Sequence, residues 1–257
     1  MPALNFNLPF AIKCLKICIQ AYKPEEELDL SGLGVEKIDY INNELTDTQA
    51  ILVRDEKDLF VVFRGATNLK DYFTDINILR AAFPPSKKFW WFRPHVHKGF
   101  YDAYQSVREE IIDVVERELG GRRLVVTGHS LGAAIAIICS LDLKRTINTP
   151  IVMYNFGAPH IGNKAFLKLY NNDVPESYRV VNDEDIVPKL LIPGFGHVKT
   201  LVFVDNDGAL TVNPNRMMQL KENLDDIPSF FSGEAIKDHL SANYLDILTK
   251  VGGGQKS

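Results

Sequence analysis

The pattern of apolar and polar positions predicts β-strands in the first quarter of the chain. Strands are expected at about 35–42, 48–54 and 58–64, each rich in β-branched and aromatic residues. The last two, QAILVRD and DLFVVFR, lie on either side of Glu56 and Lys57. Two such runs separated by a short polar turn are typical of a hairpin, so these strands are expected to be antiparallel.

The N-terminal stretch, MPALNFNLPFAIKCLKICIQAYKP, predicts an amphipathic helix packed on the domain. Lys13 and Lys16 interrupt its apolar run and no small-residue cleavage site follows, which argues against a signal peptide. The default expectation is therefore a cytoplasmic protein, while secretion by a leaderless route, or with a leader lost from the expressed chain, stays open. The helical apolar positions are Phe10, Leu15, Ile17, Cys18 and Tyr22.

Strand and helix patterns alternate in the rest of the chain. A short strand at 95–100 is followed by a helix at 101–119, and then by strand 123–128 and helix 130–146. The later elements are a strand at 150–156, a helix at 162–171, strands at 177–182 and 198–205, and a helix from about 233 to 249. Such alternation requires crossover connections, which predicts an α/β fold with a mixed, mostly parallel central sheet and helices on both faces.

Length and composition favour one domain, at 1–250, followed by a loose tail at 251–257. The formal net charge is −4 and no Lys/Arg-rich run stands out, which excludes nucleic acid as an expected partner. No run of 18 apolar residues is present, so no transmembrane helix is expected.

Three scattered cysteines do not form a disulfide framework. Cys14 and Cys18, four apart on one helix face, are expected to be buried rather than bound to a metal.

The segment RLVVTGHSLGAAIAII places Ser130 between Gly128 and Gly132, where a strand gives way to a helix. A sharp strand-to-helix turn exposes a serine at the end of a buried strand, and glycines two before and two after it relieve the crowding of the turn. The helix that follows directs its positive end toward the serine, and the amide of Leu131 can face a developing oxyanion. The pattern therefore predicts a nucleophilic serine, with a serine that only caps a helix as the alternative.

A base and an orienting acid are expected after the serine, in the order Ser, Asp or Glu, His. His95 and His97 precede it, and His129, inside the turn, is expected to point away. His239, near the C-terminus and beyond the last predicted sheet strand, suits the base best, with His197 as the alternative. The sixth histidine, His160, follows a strand closely.

The segment VVNDEDIVPKL offers three acids at the carboxyl end of a strand, which is the edge where α/β sheets form their sites. Asp183, Glu184 and Asp185 are the candidates, and Asp185 is preferred because the Ile-Val-Pro that follows would fix its loop. The other two are expected to be solvated loop acids.

With these residues in place, the chain resembles the class 3 (fungal-type) lipases of the α/β-hydrolase fold over about 45–245. The resemblance is carried by VVFRGAT, VHKGFYDAY, VTGHSLGAAIA, YNFGAPHIGN and DEDIVPKL. It implies Ser130, Asp185 and His239 as the catalytic triad, the amides of Ala66 and Leu131 as the oxyanion hole, and a non-catalytic position for His197. Family members often carry Ser or Thr where this chain has Ala66, so the hydroxyl donor is missing unless Thr67 supplies it.

The resemblance also implies a mobile lid at about 67–94, an unusually apolar segment for a connection between strands. An amphipathic cover of this kind opens at a lipid surface and lines the acyl pocket; an ordinary helix packed on the core is the alternative. Its candidate pocket residues are Leu69, Tyr72, Phe73, Ile76, Trp90 and Trp91.

The expected activity is hydrolysis of acylglycerol or other lipid esters through an acyl-enzyme, with no metal or organic cofactor. The expected partners are a lipid or small ester substrate and a lipid–water interface. A phospholipase, a short-chain carboxylesterase and a feruloyl-type esterase are alternatives on the same triad. A lipase-like fold that only binds, without catalysis, is an alternative of another class. The sequence does not fix the oligomeric state, although an exposed apolar lid would favour self-association.

Overall fold

The computed structural model describes residues 6–67, 79–83, 93–190, 192–205, 207–214 and 239–254. Ten strands lie in this part of the chain, and eight of them form one sheet, in the order β1-β2-β3-β6-β7-β8-β9-β10. In chain order the strands are β1 (Glu36–Asn43), β2 (Thr48–Arg54), β3 (Asp58–Phe63), β4 (Arg80–Ala82), β5 (His95–His97), β6 (Arg123–His129), β7 (Ile151–Phe156), β8 (Glu176–Asn182), β9 (Leu201–Val204) and β10 (Leu210–Val212).

The sheet is mixed, as the sequence predicts. Strands β1, β2 and β3 pair antiparallel, and β2 and β3 form the predicted hairpin. Strands β3, β6, β7, β8 and β9 pair parallel, and β10 closes the sheet antiparallel to β9. Every residue of β3 and β7 is buried, because helices cover both faces of a mostly parallel sheet.

Six α-helices lie in the described part of the chain and form the two outer layers. They are α1 (Leu8–Gln20), α2 (Lys98–Gln105), α3 (Arg108–Glu118), α4 (Leu131–Thr146), α5 (Lys164–Asp173) and α6 (Ser241–Gly254). Helices α1 and α6 pack together on one face, in a core cluster that includes Leu15, Tyr244 and Leu248. Helices α2 to α5 pack on the other face. The α/β architecture with helices on both faces is therefore confirmed.

Helix α1 is the predicted N-terminal amphipathic helix. Asn7 caps it by accepting a hydrogen bond of 2.9 Å from the amide of Phe10. Cys14 and Cys18 are fully buried against the sheet, as predicted, and the Cys18 thiol lies 3.3 Å from the hydroxyl of Thr127 on β6. Burial raises the pKa of both thiols, that of Cys18 to about 12, so both stay protonated near neutral pH.

Several predicted element boundaries are wrong. The single helix expected at 101–119 is two helices, because the chain leaves the helical conformation at Val107 (φ −125°, ψ 2°). The strand expected at 95–100 ends at His97, since α2 begins at Lys98. Strands β4 and β10, of three residues each, were not predicted.

Helix α6 begins at Ser241 and reaches Gly254, so four residues of the segment predicted as a tail are helical. The apolar side chain of Val251 explains the extension, because it is buried in the cluster that also contains α1. The predicted helix start near 233 lies outside the described residues, as do the six candidate lid residues. No helix in the described ranges is long and apolar enough to cross a membrane.

Candidate active site

Ser130 lies in a strained turn between the end of β6 and the start of α4. Its backbone has φ +60° and ψ −126°, a conformation that non-glycine residues rarely adopt. The turn is held by a hydrogen bond of 3.0 Å from the Ser130 amide to the carbonyl of Phe156 at the end of β7. A backbone outlier on a serine at the carboxyl edge of a sheet is the geometry expected of a nucleophile elbow.

The two flanking glycines are required by close backbone contacts. A Cβ on Gly128 would lie 2.3 Å from the carbonyl oxygen of Gly132. A Cβ on Gly132 would lie 2.3 Å from the carbonyl oxygen of Phe63 on β3. Both partners are main-chain atoms that cannot rotate away, so any side chain at either position would displace the turn. The structure therefore agrees with the sequence-based explanation that the two glycines relieve crowding in the turn.

Asp185 and His239 form a buried pair at the same edge of the sheet. The Nδ1 atom of His239 lies 2.9 Å from each carboxylate oxygen of Asp185. Asp185 is fully buried and His239 is 1% exposed, so water does not screen the contact. Since a carboxylate only accepts hydrogen bonds, Nδ1 carries the hydrogen and Nε2 of a neutral ring is left as the acceptor. This is the tautomer that a general base requires.

Two further donors fix the Asp185 carboxylate. The amide of Val187 donates a hydrogen bond of 2.9 Å to Oδ1, and the hydroxyl of Tyr244 on α6 donates one of 2.5 Å to Oδ2. The Asp185 amide in turn donates to the carbonyl of Asn182, which ends β8. Burial and the neighbouring carboxylate raise the pKa of Tyr244, so its phenol remains a donor. The carboxylate is therefore held from three sides, counting His239.

Gly157 provides the space in which this pair sits. It follows β7 with φ +60°, and a Cβ there would lie 2.8 Å from Oδ2 of Asp185 and 2.9 Å from Cε1 of His239. Because the preceding residue, Phe156, accepts the Ser130 amide, the same short stretch of chain touches all three candidate triad residues.

The reactive atoms of the site are buried and unsatisfied. Oγ of Ser130 and Nε2 of His239 have no hydrogen-bond partner within the ranges that the structure describes. Buried polar atoms without partners are rare in folded proteins and are concentrated at functional sites. A hydroxyl that can donate and an imidazole nitrogen that can accept are the two groups between which a proton would move.

The alternative candidates are engaged elsewhere. Nε2 of His197 donates a hydrogen bond of 2.8 Å to the carbonyl of Pro188, and the ring packs 4.3 Å, centroid to centroid, from that of His160. Asp183 lies 3.8 Å from the ammonium of Lys189, and Glu184 is exposed. Of the acids and histidines that the sequence offers, the structure brings together Asp185 and His239.

The candidate oxyanion donors come shortly after two neighbouring strands, β3 and β6. Strands β3 and β6 pair in register, with Phe63 beside Gly128. Ala66 and Leu131 each follow these paired residues by three positions in the chain. Leu131 opens α4, and amides in the first turn of a helix have no acceptor within the helix. Thr67 is exposed.

The prediction that His129 points away from the site is wrong. Its ring centroid lies 4.8 Å from that of His239, at an interplanar angle of 31°. Tyr22, Gly157 and Tyr244 were also missed, because nothing in the local sequence marks a contact to a residue far along the chain. Gly157 had the one available signal, a glycine directly after a predicted strand, where the chain turns with positive φ.

Comparison with known proteins places the chain in a family. Residues 60–194, a little more than half of the 257, match the family described as lipase (class 3). The chain belongs to the class 3 lipase family. This family membership confirms the resemblance that the sequence motifs carry.

Two named lipases are also similar to this chain in sequence. A lipase of Rhizomucor miehei is 33% identical over 159 residues, which cover 58% of this chain and 42% of that protein. A secreted mono- and diacylglycerol lipase of Penicillium camembertii is 28% identical over 194 residues, covering 73% of this chain and 61% of that protein. The class 3 lipase chain thus spans less than two thirds of the length of either relative.

The fold is shared with solved lipases. A triacylglycerol lipase, described as having a serine protease triad as its catalytic centre, is similar over 91% of this chain and 92% of its own, with a TM-score of 0.72 and 26% identity. The α/β-hydrolase fold of this class 3 lipase family member is therefore established. In the described part of the chain, no cluster of three or more His, Cys, Asp or Glu side chains has the arrangement of a metal site.

Proposed function

We propose that the protein is a serine carboxylic ester hydrolase of the triacylglycerol lipase type, acting on acylglycerols or related lipid esters. The observation that carries the proposal is the buried contact of Asp185 with His239, at 2.9 Å, beside a serine held at φ +60°. Strain on a nucleophile and a carboxylate buried against a histidine each have a structural cost, and their coincidence supports catalysis. The motif match and the named relatives support the same reaction class.

The proposed reaction is acyl transfer in two steps. Nε2 of His239 takes the proton of Ser130 as Oγ attacks the ester carbonyl, and the tetrahedral intermediate collapses as the protonated His239 gives that proton to the leaving alcohol. Water then attacks the acyl-enzyme, loses a proton to His239, and releases the acid with the return of the proton to Ser130. Asp185 orients His239 and stabilises its charged form in both steps.

The amides of Ala66 and Leu131 are the proposed donors to the oxyanion. Backbone amides serve this role without a side chain, so the methyl group of Ala66 does not remove the site. It does remove a hydroxyl that relatives with Ser or Thr there would add. One oxyanion donor is worth about 10²–10³ in kcat, and we propose that turnover is correspondingly below that of a site with the hydroxyl. Thr67 is the remaining residue that could supply such a hydroxyl.

We propose that the segment at about 67–94 acts as a lid and that the acyl group of the substrate contacts its apolar side chains. Leu69, Tyr72, Phe73 and Ile76 have helical spacing in the sequence, and Trp90 and Trp91 follow. All six lie outside the described residues, so the proposal rests on sequence. It implies contact with a lipid–water interface.

Initial rates on p-nitrophenyl esters with acyl chains from two to sixteen carbons test the proposal. The expected result is hydrolysis that rises toward the medium and long chains and disappears in Ser130→Ala. Ser140→Ala is the matched control, because Ser140 is a buried serine of α4 whose hydroxyl binds the carbonyl of Ala136 at 2.7 Å, within its own helix.

The outcomes separate the alternatives. Ser130-dependent activity confined to the shortest chains would indicate a small-ester hydrolase and contradict the lid. Cleavage of phosphatidylcholine in preference to triglyceride would indicate a phospholipase, and release of ferulate from its esters would indicate a feruloyl-type esterase. An absence of Ser130-dependent hydrolysis on every ester would favour a module that binds lipid without catalysis.

The compartment is a separate proposal. The cytoplasmic expectation finds no support in the comparisons, because the Penicillium camembertii relative is named as secreted. Secretion is consistent with that name, and immunodetection of the chain in medium and cell fractions tests it. The proposed reaction itself requires no metal or organic cofactor, since the nucleophile, base and oxyanion donors all belong to the chain.

A further inference from the structure

Both ring nitrogens of His129, the histidine next to the proposed nucleophile, are engaged. Nε2 lies 2.7 Å from the carbonyl oxygen of His239, and Nδ1 lies 2.7 Å from the hydroxyl of Tyr22. The ring is 2% exposed. These contacts join positions 110 and 107 residues apart in the chain, so they link the elbow to the segment before α6 and to the end of α1.

The direction of each hydrogen bond follows from the chemistry of the partners. A carbonyl only accepts, so Nε2 of His129 carries the hydrogen and donates to His239. In the neutral ring Nδ1 then accepts from the hydroxyl of Tyr22. Burial, with a further contribution from His239, holds the pKa of His129 well below its ordinary value, and burial raises the pKa of Tyr22. Both groups therefore stay neutral, in the one arrangement that satisfies every atom.

His239 is consequently held at two points. Asp185 fixes its side chain through Nδ1, and His129 fixes its main chain through the carbonyl. The His129 ring also packs against one side of the His239 ring, with centroids 4.8 Å apart and the two planes tilted by 31°. With the backbone and Nδ1 both anchored, the remaining freedom of Nε2 toward Ser130 is small.

The Tyr22 hydroxyl also lies against the loop that carries the candidate oxyanion donor. A Cβ on Gly65 would be 2.0 Å from this hydroxyl and 2.8 Å from the carbonyl oxygen of His129. Gly65 directly precedes Ala66. The phenol of Tyr22, in the turn after α1, thus contacts both His129, which supports the base, and Gly65, which is next to the proposed oxyanion donor.

We propose that Tyr22 and His129 are positioning residues, which aim His239 at Ser130 by fixing its main chain. The inference rests on the proposed ester hydrolysis, in which it gives the turn that follows α1 a role in positioning the base. A role of this kind acts on the geometry of the reaction and predicts a loss in kcat rather than in substrate binding.

The first test compares Tyr22→Phe with Tyr154→Phe, using the p-nitrophenyl ester that the wild type cleaves fastest. Tyr154 is the matched control, because its buried hydroxyl also serves the α1 region, accepting from the amide of Asn7 at 3.3 Å, but contacts no candidate catalytic residue. Tyr22→Phe is expected to lower kcat by about 2- to 10-fold, the range for one neutral hydrogen bond, with KM unchanged. Tyr154→Phe is expected to leave kcat unchanged.

The second test compares two variants of similar volume, His129→Gln and His129→Leu. The amide of a glutamine can donate to the His239 carbonyl, whereas leucine cannot, so the Gln variant is expected to keep a several-fold higher kcat. Equal kcat values for the two, or a wild-type kcat in Tyr22→Phe accompanied only by a lower melting temperature, would overturn the proposal and leave a purely structural contact.

A proton NMR measurement keeps the inference separate from the proposed function. The hydrogen on Nδ1 of His239, held by Asp185, is expected to give a far-downfield resonance in the wild type and in Tyr154→Phe. Tyr22→Phe is expected to broaden or remove it, and an unchanged resonance would overturn the positioning role. An inactive wild type with this pattern intact would contradict the proposed hydrolysis and leave the positioning of His239 standing.

Discussion

The hydroxyl of Tyr244 donates a hydrogen bond of 2.5 Å to Oδ2 of Asp185, and both residues are buried. The contact joins α6 to the loop after β8, across 59 residues of sequence. His239 precedes α6 by two residues, so the same helix supplies a donor to the acid and carries the base to it. The rigidity of the proposed triad therefore depends on how α6 packs against α1 and the sheet.

Tyr244→Phe is expected to weaken both catalysis and stability. A hydrogen bond to a charged acceptor is worth about 1.5–3 kcal/mol, and among the described residues the amide of Val187 and the side chain of His239 remain as donors to the Asp185 carboxylate in the variant. We expect kcat/KM to fall by about 10-fold and the urea midpoint to decrease. Tyr170→Phe, which removes a buried hydroxyl that contacts Ser177 away from the site, should lower stability without lowering kcat. Full activity in Tyr244→Phe would show that Asp185 needs no third donor.

Gly157→Ala is expected to abolish activity in a folded protein. The new methyl group would lie 2.8 Å from Oδ2 of Asp185, so the pair with His239 must separate, and misplacement of this size costs about 10²-fold or more. Gly208→Ala is the matched control, because Gly208 also has positive φ (+78°) but has open space around its Cβ position. Both variants carry the same backbone strain, of about 1–2 kcal/mol, so an equal loss of activity in the two would contradict the steric explanation.

Gly132→Ala is expected to prevent the native fold, since its Cβ would meet the carbonyl of Phe63 at 2.3 Å and neither atom can move alone. Gly253→Ala provides the comparison, because Gly253 is also helical, has nothing within 4 Å of its Cβ position, and should gain up to about 1 kcal/mol from helix propensity. Yield of soluble protein and thermal unfolding measure the difference. A soluble, cooperatively unfolding Gly132→Ala protein would show that the elbow tolerates a side chain.

Stability is expected to fall as the solution becomes more acidic than about pH 6.5. The ordinary pKa of a histidine side chain is about 6.5. Burial holds the pKa of His129 and of His197 well below it, and the charge of Arg179 and the nearby His160 lower the pKa of His197 further. The unfolded chain therefore binds protons, below about pH 6.5, that the folded chain excludes. Each histidine contributes stability that is complete above this pH and is lost by about 1.4 kcal/mol per pH unit below it.

Urea unfolding between about pH 8 and pH 5 measures this dependence. In His197→Gln an amide can still donate to the carbonyl of Pro188, but position 197 no longer titrates. The slope of unfolding free energy against pH in the acidic range should decrease by about 1.4 kcal/mol per unit relative to the wild type. An unchanged slope would show that His197 is accessible to protons in the folded state.

Much of the fold is predictable because its signals are local. The elbow depends on a serine between two glycines at a strand–helix junction, all within the pentapeptide GHSLG, and the parallel sheet follows from the alternation of strands and helices after residue 123. The predicted boundaries are wrong where the local sequence pattern continues across the true end of an element. Helical spacing continues through Ser106 and Val107, although the chain breaks there, and the strand pattern at 95–100 continues into α2.

The candidate site was predictable in part. Asp185 and His239 could be selected from the loop that each occupies and from the motifs around them. Tyr22, His129 and Tyr244 could not be assigned their contacts, because a hydrogen bond between residues 59 to 110 positions apart depends on the packing of α1 and α6 over the sheet. A sequence pattern identifies reactive groups more readily than it identifies the groups that hold them.

The most direct test of the central claim is the reaction of the protein with a p-nitrophenyl alkylphosphonate, followed by peptide mass spectrometry. The account predicts one phosphonyl group per chain, on Ser130, formed with stoichiometric release of p-nitrophenol. It also predicts no modification in Ser130→Ala and a slower reaction in His239→Ala, in which no base takes the proton of Ser130. Modification at another residue, or an equal rate in His239→Ala, would contradict the account.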